Sequence, residues 1–491
     1  MNAVALGGAL VGLFLTVSVV AQTPTPAPVQ QSKLRQLSIA KKKWTGDLDA
    51  MLERRLIRVA VPYSRTLFYL DKGHERGITA EGVRDFERWI NRKYAKQLGK
   101  RPLTVRIVST TRDELIQDVT DGLTDVAAGN LTVTEQRLKL VDFVAPEDQR
   151  PVSEVVVTRT GDAITSADDL SGKPVHVRPS SSYHASLLAL NARLKQERRA
   201  PVTLIPVPDA LEDEDMMEML NAGLMHALVV DDWKAKMWAQ ILPNLKVNDT
   251  ATVRDGGKIG WAIRKDSPKL HAELMDFYKG FLKKQGVHEY RMKQAMRRVK
   301  QIKNNATDSE YKKFRDTVAL FKKYGAVYHF DYLMLAAQGY QESKLNQKAR
   351  SHVGAIGVMQ IMPATGAELK VGDISQIEPN IHGGTKYMDK LMTKYFTDAK
   401  FSEDDRTLFA LASYNAGPGN ISRMRKEAQK RGLDADKWFN NVELVTAEKI
   451  GIETTTYVRN IFKYYVSYKL SLESRAAIQK AKAGIMADEK K

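Results

Sequence analysis

The 491-residue chain contains no cysteine. That absence removes disulfides, thiolate catalysis, cysteine-ligated metals and an acylated N-terminal cysteine together. It fits any redox compartment and so locates nothing. Beyond the N-terminal stretch there is no apolar run long enough to cross a bilayer. A phosphate-loop pattern, a zinc-ligand cluster and an RNA-binding aromatic signature are all missing. Nucleic acid is therefore not an expected partner, and neither a metal nor an organic cofactor is expected.

What the chain carries instead is positive charge, a formal +18 at neutral pH. Such an excess suits an acidic polymer or an anionic membrane surface, or is simply a solvated basic face. The length calls for two or three domains, and the composition is that of a soluble globular protein.

The N-terminus, "MNAVALGGALVGLFLTVSVVAQ", is uncharged and apolar and ends on the small-residue pattern Val19-Val20-Ala21. It lacks a basic start and is near the lower length limit for spanning a bilayer. Residues 1–21 are thus expected to be a signal peptide or an N-terminal anchor. Either implies export to the cell envelope: periplasmic if cleaved, membrane-associated if retained. Residues 22–45, proline- and glutamine-rich and then basic, read as a linker.

From 46 to 300 short β-rich runs alternate with helical ones. The runs starting at Leu56, Leu103, Thr124, Glu154, Lys173, Val202 and Ala227 are the strand candidates. Alternation of this kind predicts a parallel sheet covered on both faces. From 301 to 475 the β-rich runs stop and apolar residues recur at helical spacing, which predicts a separate, mainly α domain. Residues 476–491 read as a basic tail, either a solvated helix or disorder.

Within the first domain, "AAGNLTVTEQRLKLVDFVAP" (127–146), "ADDLSGKPVHVRPSSSYHASL" (167–187) and "GLMHALVVDDW" (223–233) resemble, in order, stretches of amino-acid-binding periplasmic solute-binding proteins. The resemblance implies a two-lobed α/β fold with a ligand cleft. It places Arg137 on a ligand carboxylate, Asn130 and Thr132 on the cleft wall, Ser181 and Ser182 as donors, and Asp231 on an amine. The chemistry fits a zwitterion, since an arginine fork and free helix-terminal N–H groups take a carboxylate. Asn130 stands where amino-acid binders often have glycine, which leaves room for another ligand, such as a peptide. The alternative reading makes Arg137 and Asp231 ordinary surface or hinge ion-pair residues.

In the second domain Glu342 ends an apolar helical run, and Leu335 and Gln338 share its face. Alone it would be an ordinary solvated glutamate. However, "ES" at 342–343, "GAIGVMQIMP" (354–363), "ASYNAGPGN" (412–420) and "ETTTYVRNI" (453–461) together resemble the signature stretches of family-1 lytic transglycosylases with a goose-lysozyme-like fold. The resemblance implies cleavage of peptidoglycan without water, giving 1,6-anhydromuramyl ends, with Glu342 as the only acid. It implies that Ser343, Met359, Gln360, Tyr414, Asn415, Glu453 and Tyr457 contact the glycan or orient the acid. Such an acid needs a pKa above its usual value, which an apolar wall around Met359 and Met362 would supply. Glu453 and Tyr457 lie one helical turn apart and can face one cleft.

Two other readings stay open. A hydrolytic muramidase would need a second carboxylate or a positioned water, and Asp373 and Glu378 are the later acids to suspect. A non-catalytic peptidoglycan- or solute-binding protein would use neither. The fused first domain is expected to bind a muropeptide stem or an amino acid and to regulate the second.

Overall fold

The computed structural model describes residues 35, 37, 42–71, 74–284, 286–301 and 309–488. The expected signal or anchor, and most of the expected linker, lie outside them. Each of the seven expected β-rich runs forms a strand. The strands are β1 (Leu56–Pro62), β2 (Tyr69–Asp71), β3 (His74–Arg76), β4 (Thr104–Thr110), β5 (Val126–Thr132), β6 (Asp142–Val144), β7 (Val152–Arg159), β8 (Pro174–Val177), β9 (Thr203–Pro206), β10 (Ala227–Asp231), β11 (Leu245–Gly257) and β12 (Ile259–Ile263).

They build two lobes. The first holds a five-stranded sheet in the order β4-β1-β5-β12-β6. The second holds the sheet β10-β7-β11 and the separate pair β8–β9. The expected parallel arrangement holds only for β4, β1 and β5 in the first sheet and for β8 with β9. β10 and β11 run antiparallel to β7, and β12 runs antiparallel to β5 and β6. The reason lies in β11, whose Asn248, Asp249, Thr250, Arg254 and Asp255 interrupt any apolar run. This polar strand carries the chain from the second lobe back to the first, so β12 enters the first sheet from the opposite end.

The second domain is helical around one apolar core. The helix Tyr332–Ser343 starts where the Asp331 carboxylate accepts the Leu333 N–H at 3.0 Å, a side-chain N-cap. It buries Leu333 to Tyr340 in that core, packing on helix Ser309–Tyr328 and on the last helix, Ile452–Asp488. Arg35 and Leu37, in the expected linker, dock here. Leu37 enters the core, and the Arg35 carbonyl accepts the Asp331 N–H at 2.9 Å.

The last helix, 37 residues long, joins every part of the molecule. Tyr457, Val458, Ile461 and Tyr465 fill the second-domain core. The guanidinium of Arg106 on β4 lies over the Phe462 ring, 4.4 Å from its centroid. Ile478, Ala481 and Ile485 then pack on the second lobe, where Lys482 Nζ meets Asp215 at 2.6 Å. As far as Asp488, the residues expected as a solvated tail are thus a docked helix.

A buried ion-pair group seals the junction. Arg459 Nη2 donates to fully buried Glu443 at 2.8 Å, and Arg101 of the first lobe stands 3.4 Å from the same carboxylate. Removing one cation leaves a buried charge underpaired. Arg459→Met is therefore expected to lower stability by about 3 kcal/mol, read as a lower urea midpoint of the full chain by tryptophan fluorescence.

Candidate active site

Glu342 sits in the last turn of its helix, where the chain turns sharply. Lys344, Leu345 and Gln360 all adopt left-handed backbone, with φ of 56°, 63° and 46°. Such conformations in non-glycine residues hold only where surrounding structure imposes them. Here Ser343 imposes part of it: its hydroxyl donates to the Val358 carbonyl at 2.9 Å and accepts the Asn346 N–H at 3.0 Å. Ser343 therefore ties the acid helix to the 354–361 loop and does not touch the acid.

That loop is hung on two amides. Asn380 accepts the Met359 N–H at 2.8 Å and donates to the carbonyls of Ile356 at 2.8 Å and Ile374 at 3.0 Å. Gln347 accepts the Val358 N–H at 3.1 Å. Gly357, at φ 79°, leaves room for both amides, since a Cβ there would come within 2.6 Å of each. The Met359 side chain is fully buried, against Gly384, so it cannot line the cleft wall as expected. It supports that wall from behind, and its carbonyl accepts the Tyr414 hydroxyl at 2.8 Å. Gln360 donates to the Gly357 carbonyl at 2.8 Å and the Ala349 carbonyl at 3.4 Å.

Tyr457 reaches over from the last helix and donates its phenolic proton to Glu342 Oε1 at 2.5 Å. Behind it, the Gln338 amide donates to the Tyr457 oxygen at 3.3 Å. Asn415 accepts the Thr454 hydroxyl at 2.7 Å, fixing the start of that helix to the 412–420 turn. Glu453 is exposed.

Glu342 is partly exposed and otherwise packed by protein. Burial pushes its pKa up to about 7, opposed by the Tyr457 hydrogen bond and assisted by the negative charge of Glu453. Burial also holds the Tyr414 and Tyr457 hydroxyls well above their usual range, so both stay neutral donors. Asp373 and Glu378, the alternative bases, are committed elsewhere. Asp373 accepts from the Ser375 N–H at 2.9 Å and hydroxyl at 2.7 Å, and Glu378 pairs with Lys323 at 2.6 Å. Among the described residues no group of acidic, histidine or cysteine side chains could hold a metal ion.

A family model described as the Transglycosylase SLT domain matches residues 319–437. Another, for bacterial extracellular solute-binding proteins of family 3, matches residues 57–293. Proteins named membrane-bound lytic murein transglycosylase F align along both parts at once. That of Desulfosudis oleivorans is 26% identical over 412 residues, 77% of this chain and 84% of its own. That of Alteromonas mediterranea is 28% identical over 444 residues, 86% of this chain and 91% of its own. Along both of its domains the chain is similar to lytic murein transglycosylase F. Among solved structures, an ancestral arginine-binding protein bound to arginine is 23% identical over 49% of this chain and 98% of its own, at a TM-score of 0.40. Among the described residues no helix is long and apolar enough to cross a membrane.

Its first domain has a small cavity between the lobes, lined by Asn130, Thr132, Arg137, Ser181 and Ser182 together with Arg112 and Arg178. The Arg137 guanidinium donates to the Thr132 carbonyl at 2.9 Å and, across the cleft, to the Ser180 carbonyl at 3.2 Å. Among the described residues it has no carboxylate within ion-pair distance, and burial lowers its pKa to about 10. Asp231, expected on a ligand amine, is absent from the wall. Asn130 donates to its Oδ2 at 2.9 Å and Lys234 lies 3.7 Å from the same oxygen, so the chain's own groups hold that side of the carboxylate.

Sequence reasoning missed how the lobes pair. The acids Glu212, Glu214 and Glu218 at and within helix Asp213–Asn221 reach across to the first lobe. Arg112 forks onto Glu212 at 2.8 and 2.9 Å, Ser64 donates to Glu214 at 2.7 Å, and Arg65 pairs with Glu218 at 2.6 Å. The run "EDEDMMEML" was a visible signal, since so many acids opening an otherwise apolar helix need cations.

A raised carboxyl pKa also makes a stability statement. The folded state holds the Glu342 proton up to about 7 and the unfolded chain releases it near 4.5. Stability therefore falls as pH rises through that window, by at most about 3 kcal/mol. Glu342→Gln is expected to raise the melting temperature at pH 8 and to leave it nearly unchanged at pH 4.5, measured by calorimetry.

Proposed function

We propose that Glu342 is the single proton-transfer group of this peptidoglycan lytic transglycosylase. Its protonated carboxyl gives its proton to the oxygen bridging N-acetylmuramic acid and N-acetylglucosamine as the muramyl C1–O bond breaks. The resulting carboxylate then takes the proton of the muramyl C6 hydroxyl as that oxygen bonds to C1. The proton returns to Glu342, the product is a 1,6-anhydromuramyl end, and no water enters. The neighbouring N-acetyl group stabilises the charge developing at C1, which a second carboxylate would otherwise do.

The observation that carries this reading is a carboxyl kept protonated near neutral pH by burial, with a neutral tyrosine on one oxygen and, among the described residues, no second acid paired to it. Gln360, Asn415, Glu453 and Tyr414 are the groups proposed to meet the glycan. In the first domain Arg137, Ser181 and Ser182 are proposed to take the carboxylate of a muropeptide stem or amino acid that regulates the second domain. The apolar N-terminus supports export, with action in the periplasm and association with the membrane if the segment is retained.

Solubilisation of purified sacculi tests the role of Glu342. Glu342→Gln is expected to lose at least a hundredfold in rate, and the wild-type rate is expected to fall as pH rises through about 7. More than a tenth of the activity in the variant would remove Glu342 from the chemistry.

A further inference from the structure

Gln338 lies four residues ahead of Glu342 on the same helix face and is completely buried. Its Nε2 donates to Tyr457 Oη at 3.3 Å, and its Oε1 is buried with no hydrogen-bond partner among the described residues. An unpartnered amide oxygen in a core is a cost to the fold that a leucine of similar size would not carry. The compensation lies in the direction of one proton.

A phenol has one proton and an oxygen that can also accept. Because the Gln338 amide donates to the Tyr457 oxygen, the tyrosine proton is aimed at Glu342 Oε1, 2.5 Å away. An acid oxygen already accepting a hydrogen bond is the poorer place for the acid's own proton. That proton then sits on Oε2, the oxygen with no partner among the described residues. We infer that Gln338 is a positioning residue: by donating to Tyr457 it fixes the Tyr457→Glu342 hydrogen bond and keeps the transferable proton on Oε2, the oxygen left free to meet a substrate. Without it, the tyrosine can turn its proton away and accept from Glu342 Oε1, which points the acid's proton at the tyrosine. The inference rests on Glu342 being the general acid.

The titratable groups that act on Glu342 are Tyr457 and Glu453 from the last helix and Tyr414 from the helix Glu403–Ala416. Of these, Tyr457 alone favours the ionised form, and Gln338 strengthens that donation. Losing Gln338 should therefore move the alkaline limb of the pH–rate profile upward. A merely structural loss would let water into the pocket, weaken the effect of burial and move the limb downward.

The test is the pH dependence of kcat and KM on a soluble glycan substrate for full-length wild type, Gln338→Leu, Gln338→Met and Glu342→Gln. The methionine variant retains the volume should the leucine variant fail to fold. The expected result is a fall of about tenfold in kcat at neutral pH, an unchanged KM and an alkaline limb displaced upward. An unmoved or downward limb, or an unchanged kcat, in a folded variant overturns the inference. Full activity in Glu342→Gln would instead overturn the acid assignment itself.

Discussion

A carboxyl group that must hold its proton at neutral pH can be placed only where its anion would be poorly solvated. The surroundings of Glu342 answer to that constraint. A helix ends in a crowded turn, and left-handed residues at Lys344, Leu345 and Gln360 fold the following loop back over it. Asn380 and Gln347 pin that loop from beneath. The phenols of Tyr414 and Tyr457, buried and neutral, offer protons without bringing charge. Burial raises the acid and one hydrogen bond restrains the rise, leaving a pKa of about 7, where a group can both give and take a proton.

The residue that supplies this hydrogen bond stands on the helix that also holds the molecule together. Tyr457 lies in the second-domain core two residues before Arg459, whose guanidinium pairs with Glu443, and the same helix ends on Asp215 in the second lobe. Asp215 belongs to the acid-rich helix whose neighbours Glu212, Glu214 and Glu218 grip the first lobe. The hairpin β2–β3 makes a second connection, with the Tyr340 hydroxyl 2.6 Å from His74 Nδ1, two residues from the acid. Cleft and active site are thus tied by packed side chains and ion pairs, and no free spacer separates them among the described residues.

Much of this was legible in the chain. Runs such as that starting at Leu56 are apolar and β-branched, and strands buried on both faces require that pattern. Polar β11 gave no such run, so the return crossing and the antiparallel pairings it creates went unseen. Four stretches far apart in sequence identified Glu342 because they are specific together and not singly. Met359 and Asp231 were misplaced for a shared reason: a motif names residues that lie near a site without saying which way each side chain points. Gln338 and Asn380 are polar residues within helices, and nothing in periodicity distinguishes a hydrogen-bonded hub from a chance amide.

The central claim is that one carboxyl does both proton transfers and water takes no part. Digestion of sacculi in water enriched in oxygen-18, followed by mass spectrometry of the released muropeptides, tests it most directly. Anhydromuramyl ends free of the label are predicted. Reducing ends carrying one labelled oxygen would show that water attacks C1, and the single-acid mechanism would be wrong.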